Sequence, residues 1–396
     1  MRSLSEVEQV LVRRVSVFAG SFSPEAMEAV CAGEGIEQNA IAELLCQCID
    51  RGIVMAEGQE PPPRYQLSAV LHQAARRQLV MSGEEGAVYQ RLVAFYSVLA
   101  EHVLQNAFGP ERASWLHRLE REHMNLRAIL SWLVEHGEAE QGLRLAYLLQ
   151  ELWFEERHTH EGRQWLAGLL ALPQAAAPTP LRAQALDLAG ALALNDGDYA
   201  TARSLKEEGL TIIQQLGDPA RLGYALLHLG HVVGYAQGDY PAARALYQEG
   251  LQILRGAGHE EGTAHALANL ARVALEVGDY QTADPLASES LRMYRRSGTS
   301  WDLAQSLLTA AGIAAGRGMT ERAVRLAGAS AAQREALGVS QSPAFRERDE
   351  RMLERAWMAL HDEHLRSVVW QEGQAMSLTQ AVAYALEDSP STPATL

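Results

Sequence analysis

Paired histidines are the side chains of this sequence whose spacing could support metal chemistry. A zinc or other transition-metal site needs a third or fourth ligand at matching geometry. The spacing assigns no such ligand, and the nearby Cys46 and Cys48 fall on different faces of one predicted helix. We therefore predict no metal site and interpret the histidines as solvent-facing or groove-lining. The pairs are His228 and His231, His361 and His364, and His158 and His160.

Motifs for catalysis and for nucleotide binding are missing from the sequence. There is no Gly-x-Ser-x-Gly elbow, no His-Glu-x-x-His and no glycine-rich dinucleotide turn after a strand. A phosphate-binding P-loop ends in Gly-Lys-Ser/Thr, and the only lysine, Lys206, lies inside a predicted repeat helix. The carboxylates alternate with arginines on amphipathic helices, which is typical of a solvated face. The sequence therefore predicts no catalytic residues, no cofactor and no enzyme activity.

The elements that would position binding residues are repeats. Gly-Asp-Tyr occurs at 197–199, 238–240 and 278–280, and a weaker copy, Gly-Met-Thr, follows at 318–320. Gly favours the end of one helix and Asp caps the next, so each copy predicts a helical hairpin. A fixed period of about 40 residues is typical of a solenoid, in which each unit packs mainly against its neighbours.

The repeats resemble the tetratricopeptide repeat, which has small residues at its eighth and twenty-seventh positions and alanine at its twentieth. The second copy matches only after one inserted residue before Gly238. The period exceeds the usual length of about 34 residues, which implies longer helices, as in the MalT-like branch of the family. The resemblance implies an all-α, right-handed superhelical solenoid. The matching residues are Gly190, Ala202 and Gly209; Gly230, Ala243 and Gly250; Ala271, Ala283 and Ser290; and Ala311, Ala323 and Ser330.

A binding groove follows from this resemblance, because the first helix of each such hairpin lines the concave side. Positions two, five, nine and thirteen would face the groove, and their mixture of Tyr, His and Arg has the composition of interface hot spots. We expect a protein or peptide partner, or a small inducer, to bind there; the alternative is that these are ordinary solvent-facing residues. The predicted groove residues are Gln184, Asp187, Asn195, Tyr224, Leu227, His231, Tyr235, His265, Arg272, Glu276, Gln305 and Leu308.

Further helical segments flank the repeats. Residues 1–82 predict three helices, two short strands joined by a turn through 61–63, and a fourth helix, an order that resembles a winged helix. Residues 83–138 predict a connecting helical pair, and residues 139–340 about five repeat hairpins. Residues 341–388 predict C-terminal capping helices, one of which begins with a capping box of Ser377 and Gln380. Residues 389–396 predict a disordered tail.

Three stretches extend a family resemblance over nearly the whole chain, at 14–20, 115–127 and 373–382. They resemble the C-terminal half of bacterial STAND-type regulators of the AfsR and LuxR-like ATPase sort. In that family an NTPase domain precedes the winged helix, the repeats sense an inducer or partner, and a separate effector acts. This chain has no P-loop, and Ser68-Ala69 replaces the usual nucleotide-reading His-Asp pair. The resemblance implies a truncated relative or a stand-alone sensor module, with an ATPase partner supplied in trans as one option.

The charge balance argues against nucleic acid as a partner. The chain carries 34 basic and 49 acidic residues, a net charge of −15. The predicted winged helix is acidic as well, whereas duplex binding requires Lys and Arg to neutralise phosphates. A DNA-binding regulator that acts through the winged helix is thus disfavoured by its charge, and we keep it as the rival hypothesis. Our main prediction is a non-catalytic, partner- or inducer-binding module of a bacterial signalling or transcriptional regulator.

The compartment follows from the remaining composition. No apolar run approaches the roughly 20 residues that span a membrane. The first residues lack the apolar core of a signal peptide. The 3 cysteines are too few and too clustered for a disulfide framework. The sequence thus predicts a cytoplasmic protein without a membrane partner.

Overall fold

A computed structural model describes residues 4–58, 63–107, 111–297, 300–338 and 343–387. The predicted turn at 61–63 lies largely outside these residues, and the predicted tail at 389–396 lies wholly outside them. The described chain is almost entirely helical and divides into two compact units. The first unit comprises Met1–Ala107, Ala113–Leu152 and Gly168–Ala175. The second comprises Phe108–Arg112, Trp153–Ala167 and Ala176–Leu396.

The first two helices of the chain begin at side-chain caps. Ser5 and Glu8 form a capping box, and Ser23 accepts a hydrogen bond from the Ala26 amide ahead of Pro24. The elements are α1 (Glu6–Val15), α2 (Pro24–Cys31), α3 (Ile41–Asp50), β1 (Val54–Glu57), β2 (Arg64–Leu67), α4 (Ala69–Ser82), α5 (Glu85–Gln105), α6 (Arg112–Glu120), α7 (His123–Glu135), α8 (Ala139–Leu148), α9 (Gln150–Trp153) and α10 (Thr159–Leu170).

The two strands form a small antiparallel sheet in which Val54 lies opposite Leu67. Phe22 adds an antiparallel bridge to Tyr65 on the outer side of β2. The order of three helices, two strands and a fourth helix is the order that the sequence predicted, while the winged-helix classification stays a prediction. The segment predicted as a helical pair instead holds three helices, α5, α6 and α7. The helical segment is interrupted between Glu120, where α6 ends, and His123, where α7 begins. The side chain of Glu122, within this interruption, is buried.

The second unit contains four consecutive hairpins, in which the first helix is followed by Gly-Asp in the first three copies and by Gly318-Met319 in the fourth. Gly197 has a left-handed φ of 75°, and Asp198 then accepts a hydrogen bond from the Thr201 amide. The helices are α11 (Pro180–Asn195), α12 (Tyr199–Leu216), α13 (Pro219–His231), α14 (Tyr240–Gly256), α15 (Glu260–Glu276), α16 (Tyr280–Ser297), α17 (Ser300–Gly316) and α18 (Thr320–Leu337).

Small residues at the twenty-seventh position bring the two helices of each hairpin close together. A Cβ atom added to Gly250 would lie 3.1 Å from the carbonyl oxygen of Gly223. In the next two copies, Ser290 donates a hydrogen bond to the Ala264 carbonyl at 2.9 Å, and Ser330 does so to Ala304 at 2.8 Å. The same backbone carbonyl of the first helix is approached in each case. The repeat register read from the sequence is therefore confirmed.

The inserted residue of the second copy is absorbed by a π-helical turn. Residues Val232–Ala236 continue α13 with π-helical hydrogen bonding before Gly238 ends the segment. A π-turn accommodates one extra residue without ending a helix. The insertion therefore leaves the Gly-Asp cap and the following α14 in register.

Three helices follow the repeats: α19 (Pro343–Met358), α20 (Glu363–Gln374) and α21 (Leu378–Leu386). Helix α20 packs along α18, and α21 contacts α16, α17 and α18. Helix α19 differs, because it contacts α11, the π-turn and α17 as well as α18. Its Met352 is buried, and a Cβ atom added to Gly312 of α17 would lie 3.2 Å from the Met352 side chain. Part of the first-helix surface is therefore covered by the chain itself.

Candidate partner-binding site

Most of the predicted groove residues are half-buried, as a binding surface requires. Leu227 and Leu308 are exceptions, since each is only 1% exposed and packs in the core of the repeats. Their assignment to an open surface was wrong, because leucine at the fifth position inserts between neighbouring hairpins. The Tyr235 side chain lies outside the described residues. The half-buried residues are Gln184, Asp187, Asn195, Tyr224, His231, His265, Arg272, Glu276 and Gln305.

Asp187 joins two successive hairpins through an ion-pair network. The Lys206 ammonium donates to Asp187 Oδ1 at 2.6 Å, and His228 Nδ1 lies 3.0 Å from the same oxygen. Burial opposes ionisation of the Asp187 carboxyl, but the facing His228 and Lys206 outweigh it and hold its pKa well below its usual range. Lys206 is buried, while Asp187 and His228 are each more than a third exposed. The carboxylate is therefore accessible but already balanced by a cation.

Four rings form what we call the aromatic cluster: Tyr224, His259, His265 and Tyr294. The Tyr224 ring meets His259 edge-on at 5.4 Å between centroids and His265 at 6.0 Å. His265 in turn meets Tyr294 edge-on at 5.3 Å. These rings come from α13, the cap of α15, α15 itself and α16. The cluster thus spans two neighbouring repeats with directional ring contacts.

Carboxylates border the aromatic cluster. Asp302 Oδ2 lies 3.7 Å from His265 Nε2, and Glu261 is exposed one turn before His265. Burial lowers the pKa of His265, and the neighbouring Asp302 and Glu261 only partly offset that effect. Burial, with Glu261 and Asp302 next, raises the pKa of Tyr224. The Tyr224 and His265 rings are therefore neutral at neutral pH and lie beside two carboxylates.

A second group lies further along the first helices. His231 packs its ring 5.9 Å from that of Tyr247, and burial lowers the pKa of His231 well below its usual value. Arg272 donates to Asn269 Oδ1 at 2.6 Å. These contacts hold His231 and Arg272 in place within the repeats. They are less available to a ligand than Tyr224 or Asp187.

Several residues of this surface were missed by the sequence-based groove. Lys206, His259, Glu261 and Asp302 lie at second-helix or helix-start positions, which the four groove positions exclude. His228 directly follows a fifth position; it was interpreted only generally, with the other paired histidines, as solvent-facing or groove-lining, and it was not among the predicted groove residues. The exposed face of a helix covers more than one position in each turn. If the predicted groove had included the positions next to the fifth, it would have contained His228.

Most described arginines of the predicted winged helix form ion pairs with carboxylates. Arg14 is 2% exposed and binds Glu84, and Arg64 is buried against Glu122. Phosphate binding requires accessible cations. The pairing therefore leaves little positive charge for a nucleic-acid backbone. The ion pairs in this segment are Arg13–Glu84, Arg14–Glu84, Arg51–Glu8, Arg64–Glu122 and Arg76–Glu85.

A buried polar network accounts for the stretch at 115–127. Glu122 binds Arg64 of β2, and its other oxygen accepts from the Tyr96 hydroxyl at 2.6 Å and from Asn125 Nδ2 at 2.9 Å. Asn125 also donates to the Ser21 carbonyl at 2.8 Å. The network joins α5 and α7 to the two-stranded sheet within the first unit. Glu122 and Asn125 are thus structural residues.

Comparisons with known proteins agree with this geometry. Residues 221–296, from α13 to α16, match the tetratricopeptide repeat family model. Proteins named "Putative HTH-type transcriptional regulator" in Mycobacterium tuberculosis and Mycobacterium bovis are 33% identical over 186 residues, which is 46% of this chain and 21% of each relative. The chain therefore spans about a fifth of the length of the curated relatives it matches. Within the described residues, no helix is long and apolar enough to cross a membrane.

Solved structures show looser similarity. A STAND protein with a tetratricopeptide repeat sensor from Pyrococcus horikoshii is 16% identical, with 97% of this chain and 65% of that chain covered and a TM-score of 0.38. A Rap protein complexed with Competence and Sporulation Factor is 14% identical, with 89% and 100% covered and a TM-score of 0.45. Superpositions this loose carry no inference about what this chain binds.

Proposed function

We propose that this chain is the partner-binding module of a bacterial regulator and that it recognises a protein or peptide on the first-helix surface of its repeats. The tetratricopeptide match supports a scaffold suited to protein interactions. The names of the mycobacterial relatives support a regulatory setting. No catalytic residue is assigned, so the module acts by binding. A small inducer on the same surface is the alternative ligand, and an ATPase subunit is the partner that the STAND resemblance would supply.

The observation that supports this proposal is the continuity of accessible polar and aromatic groups across hairpins. Asp187 of α11 contacts His228 of α13, and Tyr224 of α13 contacts His265 of α15. His265 then reaches Asp302 of α17. One extended ligand could therefore touch four successive first helices. Helix α19 covers part of the remaining surface, which directs the ligand to the N-terminal halves of these helices.

Substitution of Tyr224 tests the proposal directly. Tyr224→Ala removes a half-buried aromatic anchor, and loss of such an anchor typically costs about 2 kcal/mol, or roughly thirtyfold in affinity. The matched control is Gln248→Ala, on an exposed position of the second helix α14. Binding of a peptide selected from a random library is measured by fluorescence polarisation, with melting curves for each variant.

We expect Tyr224→Ala to weaken binding and Gln248→Ala to leave it unchanged. Because Tyr224 also packs against the repeat core, binding is measured at a temperature at which the melting curves show both variants to be folded. Loss of binding in Gln248→Ala together with unchanged binding in Tyr224→Ala would place the ligand on the outer helices and contradict the proposal.

The rival function, DNA binding through the predicted winged helix, calls for its own measurement. Because most arginines of that segment are paired with carboxylates, we expect no retardation of duplex DNA in an electrophoretic shift at low salt, where phosphate contacts are strongest. A shift that is abolished by Arg77→Ala would support the rival. Arg77 is the appropriate choice because its side chain is exposed on α4.

A further inference from the structure

Negative charge at the aromatic cluster exceeds what its neighbours neutralise. The Asp302 side chain is only 18% exposed. Within the described residues its one ion-pair contact is His265, and burial favours the neutral form of that ring. Arg272 is the nearby cation: it donates to Asn269 and contributes to the lowered pKa of His265, but it forms no ion pair with Asp302 in the described part of the chain. A largely buried carboxylate that faces a neutral ring is incompletely compensated.

The contrast with Asp187 shows that this imbalance is local. Both carboxylates lie on first helices and contact a histidine of a neighbouring repeat. Asp187 also has Lys206 at 2.6 Å, whereas Asp302 has no such ammonium partner in the described part of the chain. Glu261 adds a second, exposed carboxylate beside the cluster. The repeats therefore place an ammonium group in contact with the carboxylate at one end of the surface and not at the other.

The rings beside Asp302 favour a cation as well. Tyr224 and His265 are partly exposed, and their rings meet nearly edge-on, so the two ring faces point in different directions. Aromatic faces attract guanidinium and ammonium groups, and a carboxylate adds a charge-assisted hydrogen bond. We propose that Tyr224, His265, Asp302 and Glu261 bind the side chain of an arginine or lysine in the partner polypeptide. This inference rests on the proposed function and specifies the chemistry of the partner.

A peptide selected on the intact chain from a random phage library provides the probe. We expect the selected peptides to share an arginine or lysine, and its replacement by glutamine to weaken binding about tenfold. Asp302→Asn should weaken the parent peptide by a similar factor. It should have little further effect on the glutamine peptide, because the two changes remove the same interaction.

Glu207→Gln is the matched control for diffuse attraction to an acidic protein. Glu207 is an exposed carboxylate of α12 that pairs with Arg203, so the variant removes one charge away from the cluster. We expect it to leave binding unchanged at moderate salt. Should Asp302→Asn melt early, Glu261→Gln replaces it, since Glu261 is exposed and makes no ion pair in the described structure.

The outcomes separate this inference from the function on which it rests. Equal weakening by Asp302→Asn and Glu207→Gln would indicate non-specific attraction and overturn the inference. Selected peptides without a basic residue that still depend on Tyr224 would also overturn it, while the partner-binding function would stand. If no peptide binds the chain, both proposals fail.

Discussion

Glu122 shows how a single side chain can carry a family resemblance without a role in binding. Its carboxylate is almost fully buried and receives hydrogen bonds from Arg64, Tyr96 and Asn125. Removal of Arg64 would leave the buried charge of Glu122 without its counter-ion, which typically costs about 3–5 kcal/mol. The buried ion pair and hydrogen bonds therefore constrain the identity of this residue. A recurring sequence stretch can mark such a network as readily as a ligand site.

Glu84 gives a pH-dependent prediction at the same scale. Partial burial opposes its ionisation, but hydrogen bonds from Arg13 and Arg14 outweigh that effect and lower its pKa from 4.5 to about 2. The unfolded chain therefore binds more protons than the folded chain between these values. The stabilisation is complete above about pH 4.5 and is lost as pH falls towards 2.

The measurement is the melting temperature of the parent protein and of Glu84→Gln from pH 6 to pH 2. We expect the parent to melt higher at pH 6 and the difference to shrink below pH 4.5. Glu43→Gln, at an exposed position of α3, controls for general acid destabilisation. A difference that stays constant with pH would show that the charge of Glu84 contributes nothing to folding.

At the scale of elements, the hairpins were predictable because their signals are local. Glycine ends a helix at Gly197, aspartate caps the next at Asp198, and small residues at Gly250 and Ser290 allow close helix contact. The burial of individual side chains was not predictable. Asp187 and Leu227 share the fifth repeat position, yet Asp187 is accessible and Leu227 is in the core. Spacing defines a face of a helix, while the side chain decides whether it inserts between neighbours.

The placement of α19 was beyond sequence reasoning for a related reason. Its sequence predicts a helix, but contact with α11 and the π-turn depends on chain segments far apart in sequence. Periodicity carries no information about such long-range packing. The position of Asp302 beside His265 was not predictable either, because it depends on how α17 packs next to α15.

Ala243 tests the packing between helices. It is fully buried, and a Cβ atom added to Gly234 of the π-turn would lie 2.8 Å from the Ala243 Cβ. Ala243→Arg would force a charged side chain into this contact, and we expect a loss of more than about 3 kcal/mol in the free energy of unfolding. Urea denaturation monitored by circular dichroism gives the value.

Ala245→Arg is the control, because the same substitution two residues further along α14 falls on an exposed position. We expect it to unfold like the parent protein. Indistinguishable unfolding of the two variants would mean that the assigned helix contact does not form.

For the molecule as a whole, the missing P-loop leads to a prediction about nucleotide. A ligand that binds only the folded state raises the melting temperature, and the stabilisation grows with the logarithm of the ratio of ligand concentration to Kd. The sequence provides no Gly-Lys-Ser/Thr and has Ser68-Ala69 in place of the nucleotide-reading pair. We expect no change in melting temperature with millimolar Mg-ATP or Mg-ADP. A rise of several degrees would require a nucleotide site of a different kind.

The single lysine makes the ion pair with Asp187 a natural reporter of local opening. An endoprotease specific for lysine has one cleavage site in the entire chain, after Lys206. That peptide bond lies within α12, and the side chain is only 6% exposed, so cleavage requires the hairpin to unfold locally. When opening and reclosing are fast, the cleavage rate measures the equilibrium population of the open hairpin. Asp187→Asn should therefore accelerate the appearance of two fragments that meet at residue 206, without denaturant and without any engineered label.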